Sequence, residues 1–378
     1  MKKNRVVLFG LTLILLIVFT GCDSWSTYPP DNKYGSTEYD GELTWTEVSS
    51  SNDWVGRYKH ASVVFNDALW ILGGYGYQGV QKDSYLEDVW YSSDGQTWEP
   101  ATMDAPWHGR TGHAVVVLGD RMILIGGYAV DEEASNTHDT DHYMNDVWQS
   151  TDGENWTKLT DAPFGKRAYH SAVVVEIGGV DTIFVIGGMK YGTYYYDDIW
   201  KSTDGENWSE VSLSEESREI LGRRSGMAVT KVGSDIYIQG GYTPDYEIAQ
   251  VDKDDWKKMR IFDTSTGVVE KTSRPGYPYS NRALMKMVPY QGKLFLFSGV
   301  EIRREYDMDH REVYSTWTYH HTSDTWVLDS DGSGFGPRRG YTAELFDDGS
   351  GEKIWILGGW SYSGPENDVY TAEVEASL

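Results

Sequence analysis

The stretch RTGHAVVVLGDRMILIGGY, residues 110–128, decides the fold of this chain. It contains an arginine, an apolar run, a short turn and a second apolar run that ends in Gly126-Gly127. A third segment begins at Asp146-Val-Trp148, and the turn Ser150-Thr-Asp-Gly-Glu-Asn-Trp156 leads into a fourth. The Asp-Gly step supplies the positive φ that a tight hairpin needs. Because short apolar runs bounded by turn residues are typical of strands, the pattern predicts a unit of four β-strands.

The unit occurs six times between residues 42 and 378. A repeat of this length determines the architecture of the chain, so it is considered before any other feature of the fold. The arginines that start the units are 53–58 residues apart: Arg57, Arg110, Arg167, Arg224, Arg282 and Arg338. The second strands end at Gly73-Gly74, Gly126-Gly127, Gly187-Gly188, Gly240-Gly241, Ser298-Gly299 and Gly358-Gly359. The clearest third strands begin at Asp88-Val-Trp90, Asp146-Val-Trp148, Asp198-Ile-Trp200 and Asp368-Val-Tyr370.

These motifs resemble Kelch repeats, and the resemblance covers residues 42–378. It is specific in units 1, 2, 3 and 6 and weaker in units 4 and 5. The resemblance implies an all-β fold, a Kelch-type β-propeller with four strands in each blade. The number of units implies six blades. The 16 Trp, 27 Tyr and 41 Gly also favour strands and turns over helices.

The two ends of the repeated region indicate how the ring closes. The chain ends at Leu378, before the last unit reaches a fourth-strand Trp. A spare strand, Glu42-Leu-Thr-Trp-Thr-Glu-Val48, precedes Arg57 and matches the fourth strand Asn155-Trp-Thr-Lys-Leu159. We therefore expect the N-terminal strand to complete the last blade, which removes exposed sheet edges.

The first 21 residues have the features of an export signal. A positive segment with Lys2, Lys3 and Arg5 precedes an apolar run too short to span a bilayer comfortably. Phe19-Thr-Gly-Cys22 resembles the lipobox of bacterial lipoproteins, in which the cysteine becomes lipidated; the alternative is a plain secretory signal with an incidental cysteine. We expect a signal peptide at 1–21, lipidated Cys22 with a flexible tether at 22–41, and the propeller at 42–378. The protein would then be lipid-anchored in the bacterial cell envelope, outside the cytoplasm.

Charge and cysteine content exclude several functions. The formal net charge of −25 argues against nucleic acid as a partner. Cys22 is the only cysteine, so no disulfide forms within the chain. Copper radical oxidases similar to galactose oxidase are also excluded, because they crosslink a Tyr to a Cys. No nucleophile elbow or phosphate-binding glycine loop is present, no catalytic residue is identified and no cofactor is expected.

Two groups of residues could bind a metal. His60, His113 and His170 occupy the same position in units 1 to 3 and could hold zinc, but Met227 and Met285 stand there in the next two units and favour a structural role. The loop from Asp131 to Asp146 is acidic enough for calcium but matches no ordered calcium-binding motif. A solvated acidic loop is the favoured interpretation, and no metal is predicted.

One face of the propeller collects the unit arginines, the residues after the Gly pairs and the longest loops. Aromatic residues follow four of the six pairs: Tyr75, Tyr128, Tyr242 and Trp360. The alternative is that each arginine pairs with a third-strand aspartate, for example Arg110 with Asp146 or Asp88. Arg282 is the exception, because Ser315 replaces that aspartate in its unit. The predicted ligand-binding residues are Arg282, Arg223, Arg339, Tyr75, Tyr128, Tyr242 and Trp360; the predicted structural ring is Arg57, Arg110, Arg167, Arg224 and Arg338 with His60, His113 and His170.

Three functions are compatible with these features. The first is a monomeric binding module that recognises a glycan or a protein through the loop face. If the arginines of that face form the site, the ligand is expected to be an acidic sugar or an acidic peptide. The second is a sugar mutarotase or epimerase similar to sialic acid mutarotases, in which arginines would hold the sugar carboxylate. The third is a structural envelope protein. The fold alone does not choose between them.

Overall fold

The computed structural model describes residues 43–77, 83–129, 143–191, 194–243, 258–272, 282–301, 311–320, 325–330 and 334–374. The predicted signal peptide, Cys22 and the tether lie outside the described residues. So do five acidic residues of the predicted acidic loop: Asp131, Glu132, Glu133, Asp139 and Asp141.

Thirty strands and one helix make up the described chain. The first strands are β1 (Leu43–Ser49), β2 (Arg57–Tyr58), β3 (Ala61–Phe65), β4 (Ala68–Leu72), β5 (Tyr75–Tyr77), β6 (Asp83–Tyr85), β7 (Val89–Ser92) and β8 (Glu99–Thr102). They are followed by β9 (Ala114–Leu118), β10 (Arg121–Tyr128), β11 (Tyr143–Ser150), β12 (Thr157–Asp161), β13 (Ser171–Ile177), β14 (Val180–Ile186), β15 (Met189–Lys190), β16 (Tyr194–Tyr195), β17 (Ile199–Ser202), β18 (Ser209–Glu210) and α1 (Glu215–Leu221). The last are β19 (Ala228–Val232), β20 (Asp235–Gln239), β21 (Arg260–Asp263), β22 (Val268–Lys271), β23 (Arg282–Ala283), β24 (Lys286–Tyr290), β25 (Lys293–Glu301), β26 (Arg311–His320), β27 (Thr325–Ser330), β28 (Thr342–Asp347), β29 (Glu352–Ser361) and β30 (Gly364–Val374).

The strands form one larger antiparallel sheet for each unit of the sequence, as in a β-propeller. The first four sheets have the orders β3-β4-β7-β8, β9-β10-β11-β12, β13-β14-β17-β18 and β19-β20-β21-β22. The fifth unit contains β23 to β27, with β24 and β23 both paired to β25. Short pairs at the ends of the sheets, such as β15 with β16, extend the loops on one face.

The N-terminal strand belongs to the sheet of the last unit. The order of that sheet is β1-β30-β29-β28, and β1 is antiparallel to β30 with Leu43 opposite Val374 and Thr46 opposite Thr371. Residues that precede the first unit therefore supply the outer strand of the sixth.

The hydrophobic core lies between neighbouring sheets. Leu124 and Trp156 of unit 2 pack against Trp70 of unit 1, and equivalent apolar clusters join each later pair of units. One further cluster joins unit 6 to unit 1 and contains Trp355 and Ile71. The innermost strands also contact one another in the cyclic order β3, β9, β13, β19, β24, β28 and again β3. A fully buried Leu or Ile contributes about 1.5–3 kcal/mol, so packing between sheets supplies most of the stabilisation.

The helix α1 connects units 3 and 4. Ser214 caps its N-terminus, where its side chain accepts a hydrogen bond from the Ser217 amide, and Gly222 ends it at positive φ. No helix in the described ranges is long and apolar enough to cross a membrane.

Candidate functional site

Four of the six unit arginines form buried, two-pronged ion pairs with the third-strand aspartate of their own unit. The shorter N–O distance in each is 2.6–2.8 Å, for Arg57–Asp88, Arg110–Asp146, Arg167–Asp198 and Arg338–Asp368. In each of these four units the arginine guanidinium also donates a hydrogen bond to the carbonyl of the first glycine of the Gly-Gly pair, as Arg110 does to Gly126 at 2.8 Å. The indole of Trp148 donates to the Asp146 carboxylate at 2.7 Å, which explains the Asp-x-Trp spacing.

These contacts determine the charge state of the aspartates. Burial alone would raise the pKa of Asp146 and Asp198, but hydrogen bonds from Arg110 and Arg167 and the charges of these arginines outweigh burial, so both pKa values are lowered. A buried ion that loses its partner is strongly destabilising. The guanidinium groups of these four arginines therefore stabilise the fold and are already occupied by the aspartates.

Arg224 and Arg282 are equally buried in units that have no such aspartate. In unit 4 the pairing of β20 with β21 places Lys258 where units 1, 2, 3 and 6 have the aspartate. The Arg224 guanidinium donates a hydrogen bond to the Gly240 carbonyl at 3.1 Å. The side chain of Arg282 is only 3% exposed and makes polar contacts of its own. Arg282 is therefore not a free cation, and its role in ligand binding stays a prediction.

The two additional arginines have different surroundings. Arg223 is 56% exposed and lies 3.7 Å from the Asp197 carboxylate. The guanidinium of Arg339 lies 5.8 Å from the centre of the Trp360 ring, and the two residues exchange backbone hydrogen bonds of 3.0 and 2.8 Å. Arg339 is thus placed next to a predicted ligand-binding aromatic residue, whereas Arg223 is bound to an acidic side chain.

Three of the four predicted aromatic residues belong to a continuous series that we call the collar. Neighbouring rings have centroids 4.9–5.7 Å apart, in mainly edge-to-face contacts. Its members, in order, are Trp360, Tyr58, Tyr75, Tyr85, Tyr128 and Tyr143. Such pairs contribute roughly 0.5–1.5 kcal/mol beyond their buried area, so the collar is a pre-organised surface.

The ionisation of Tyr242, the remaining predicted aromatic residue, is influenced by the charge of Arg339 and by Tyr169. Burial is the main factor that raises the pKa of Tyr242 to about 12, so its hydroxyl stays neutral near neutral pH.

Beside the collar, the residues two positions after each unit arginine form what we call the mouth ring. All six have φ between 55° and 64°, and they are Lys59, Gly112, Tyr169, Gly226, Leu284 and Gly340. Backbone hydrogen bonds join neighbouring members, for example Tyr169 N to Gly112 O at 2.7 Å and Gly226 N to Tyr169 O at 2.7 Å. Large residues alternate with glycines in this series, and five such hydrogen bonds link one member from each of the six units.

Lys59 is the cation of the mouth ring. Its ammonium lies 5.2 Å from the centre of the Tyr58 ring and 4.9 Å from that of Tyr169, and it donates to the Tyr169 hydroxyl at 3.3 Å. Burial is the main factor that lowers the pKa of Lys59, and the charge of Arg339 acts in the same direction. Aromatic rings stabilise such a cation by cation–π attraction.

The three predicted histidines lie just beneath the mouth ring and explain the glycine pairs. A Cβ on Gly73 would meet His113 of the next unit at 3.0 Å, and one on Gly74 would meet His60 of its own unit at 2.7 Å. Burial, reinforced by the neighbouring arginine charge, lowers the pKa of His113 and His170 to about 3. Within the described residues, no group of three or more potential ligands could hold a metal ion.

The repeated sheets, the buried Arg–Asp pairs and the glycine pairs define a β-propeller built from Kelch-type units. The KLHDC2/KLHL20/DRC7 Kelch-repeats domain model matches residues 14–241, which is more than half of the chain. The chain therefore belongs to the Kelch-repeat family.

Three curated relatives illustrate how far the similarity extends. Kelch domain-containing protein 3 of Bos taurus is 26% identical over 68% of this chain and 63% of its own length. The F-box/kelch-repeat protein At1g51550 of Arabidopsis thaliana is 23% identical over 75% of this chain and 56% of its own length. The leucine-zipper-like transcriptional regulator 1 homolog of Drosophila melanogaster is 28% identical over 46% of this chain but only 18% of its own length. The chain thus spans less than two thirds of each of these relatives.

Proposed function

We propose that the chain is an envelope-anchored interaction module whose collar and mouth ring bind a protein partner through an acidic segment. The observation that carries the proposal is the position of Lys59 and Arg339 against the collar, in a chain whose net charge is −25. Two cations on an aromatic surface attract carboxylates and offer ring faces to the groups beside them. Membership of the Kelch-repeat family supports an interaction role.

The proposal includes a closed ring of six blades. It is supported by the cyclic contacts of the six innermost strands, by the apolar cluster that joins units 6 and 1, and by the pairing of β1 with β30. Closure would make the mouth ring continuous and hold the collar rigid, and rigidity lowers the entropic cost of binding.

The proposed location rests on the N-terminal sequence. A lipid on Cys22 and a tether at 22–41 would display the propeller outside the cytoplasm. Replacement of Cys22 by Ala should abolish acyl labelling and release the protein from membranes. Label that persists on the membrane-bound variant would contradict the anchor.

The mutarotase alternative has less support. It would require arginines that can hold a sugar carboxylate, and Arg57, Arg110, Arg167 and Arg338 are already paired with buried aspartates. We therefore prefer a binding role.

The proposal is tested by selection of ligands with the purified full-length protein. A random peptide library and a glycan array are probed in parallel with the parent and with Lys59→Ala. We expect enrichment of peptides that place Asp or Glu beside apolar residues, and loss of that enrichment in the variant. Arg223→Ala is the matched control. The sequence predicts a role for Arg223 in binding, but its side chain is exposed and paired with Asp197, so we expect its loss to leave the enrichment unchanged. Selection of glycans only, or enrichment unchanged by Lys59→Ala, would contradict the proposal.

A further inference from the structure

The six innermost strands enclose a channel of about 550 Å³. Its walls are mostly Val, Ala and other apolar residues of β3, β9, β13, β19, β24 and β28. A smaller cavity of about 90 Å³ lies between the mouth ring and Lys286. The main volume falls within the range of small-molecule sites, which combine apolar walls with a few polar groups.

Two charged residues in this channel are not required by the repeat. Lys286 lies four residues after its unit arginine, where the other units have Ala61, Ala114, Ser171, Ala228 and Thr342. Glu344 lies six residues after its unit arginine, where the other units have Val63, Val116, Val173, Thr230 and Val288. Five of six units therefore build the same strand with a small, apolar or hydroxyl residue at each position.

These two charges are close together and incompletely neutralised. They lie on the neighbouring strands β24 and β28, and each influences the ionisation of the other. The Ser62 hydroxyl donates to the Glu344 carboxylate at 2.6 Å. Among the described residues, however, neither Lys286 nor Glu344 belongs to an ion pair. Charges held in a mostly apolar wall without an ion-pair partner are costly, so a fold would not retain them for stability.

We propose that Lys286 and Glu344 form a binding site for a small zwitterion of the free α-amino acid class. The ligand carboxylate would bind the Lys286 ammonium, and the ligand ammonium would bind the Glu344 carboxylate. The ligand side chain would pack against the valines of the channel. This site is separate from the collar and does not depend on the proposed interaction with a protein.

Ionisation of Glu344 gives the site a pH dependence. Burial raises the pKa of Glu344 to about 7, although the Ser62 hydrogen bond and the Lys286 charge oppose this. Binding of an ammonium favours the ionised form and releases a proton, so affinity should rise between about pH 6 and 8. Of the other titratable groups that line the channel, His60, His113 and His170 have pKa values well below the usual value because they are buried, so they stay neutral in this range. Lys231 is the remaining ionisable side chain of the lining.

The experiment is calorimetric titration of the purified full-length protein with L-alanine, L-leucine, L-lysine and L-glutamate, each tested separately. We expect at least one to bind with a Kd below about 1 mM, with proton release at neutral pH. Its N-acetyl and amide derivatives, which each lack one charge, should bind roughly ten- to a hundredfold more weakly. Glu344→Gln and Lys286→Met should reduce affinity by a similar factor. Thr230→Val, at the position equivalent to Glu344 in unit 4, should leave affinity unchanged.

Three results would overturn the proposal. The first is that none of the four amino acids binds at about 10 mM. The second is that the one-charge derivatives or the two channel variants bind like the parent. The third is a fall in melting temperature in both variants together with no binding by the parent, which would make the two charges purely structural.

Discussion

Arg110 and Asp146 form a two-pronged ion pair, with N–O distances of 2.8 and 2.9 Å, that ties the segment before β9 to β11. Because the arginine side chain is fully buried, loss of either partner would leave a charge in an apolar interior. Arg110→Ala should therefore lower the free energy of unfolding by about 3–5 kcal/mol, measured by urea denaturation.

An exposed pair in the same unit provides the control. Lys158 and Asp161 are 2.6 Å apart but 43% and 62% exposed. Lys158→Ala should change stability by less than about 1 kcal/mol. Equal effects of the two substitutions would show that Arg110 contributes no more than a surface charge.

The buried histidines should make the protein sensitive to acid. The pKa of His113 and His170 is about 3 in the folded protein, against 6.5 for an ordinary histidine. As the pH falls below 6.5, the unfolded chain takes up protons that the folded protein does not, so stability decreases towards the folded pKa.

Replacement of both histidines by Met, which occupies this position in units 4 and 5, should reduce that decrease. Denaturation curves recorded across about pH 4–7 measure the decrease in the free energy of unfolding for the parent and the double variant. A double variant that loses stability with pH as steeply as the parent would contradict the assignment of buried, neutral histidines.

The Asp-Gly turn of unit 2 forms a hairpin and also packs against the preceding unit. Gly153 has φ of 75°, and a Cβ there would overlap the Trp70 ring of the preceding unit. Gly153→Ala should cost several kcal/mol, since overpacking typically adds about 1–3 kcal/mol to the roughly 1–2 kcal/mol of a left-handed non-glycine residue.

Gly119 is the matched control for this substitution. It has φ of 61°, and nothing lies within 4 Å of its added Cβ. Gly119→Ala should cost only about 1–2 kcal/mol, measured by thermal denaturation. If the two variants melt at the same temperature, the turn of unit 2 does not pack on Trp70 as described.

Closure through the N-terminal strand predicts a large effect of a short deletion. Removal of residues 41–48 takes away the partner of β30 and exposes a sheet edge. The melting temperature, measured by calorimetry, should fall far more than after deletion of tether residues 23–40. A truncated protein that melts like the parent would rule out closure by this strand.

Motif spacing was sufficient to predict the repeated strands and to suggest the Arg–Asp pairs. The pairing of Arg110 with Asp146 was one of two alternatives in the sequence, and the structure selects it. Arg282 shows the limit of the method, because a missing aspartate does not reveal which other groups surround a buried guanidinium.

Part of the candidate site could not be predicted because it depends on contacts between units. Tyr85 and Tyr143 do not follow a glycine pair, although both stand three residues before a third-strand aspartate, as does Tyr195. That recurrence was the available signal. The mouth ring, with Lys59 at positive φ, follows from backbone hydrogen bonds between units, and no single unit encodes it.

The most direct test of the central claim is the affinity of a selected acidic peptide for parent, Lys59→Ala, Arg339→Ala and Arg223→Ala, with melting temperatures measured on the same samples. Loss of Lys59 or Arg339 should weaken binding by roughly ten- to a hundredfold, because each would remove a charge-assisted contact, while Arg223→Ala should have no effect. All four proteins should melt at similar temperatures. Equal affinity of Lys59→Ala and the parent would contradict binding at the collar and mouth ring.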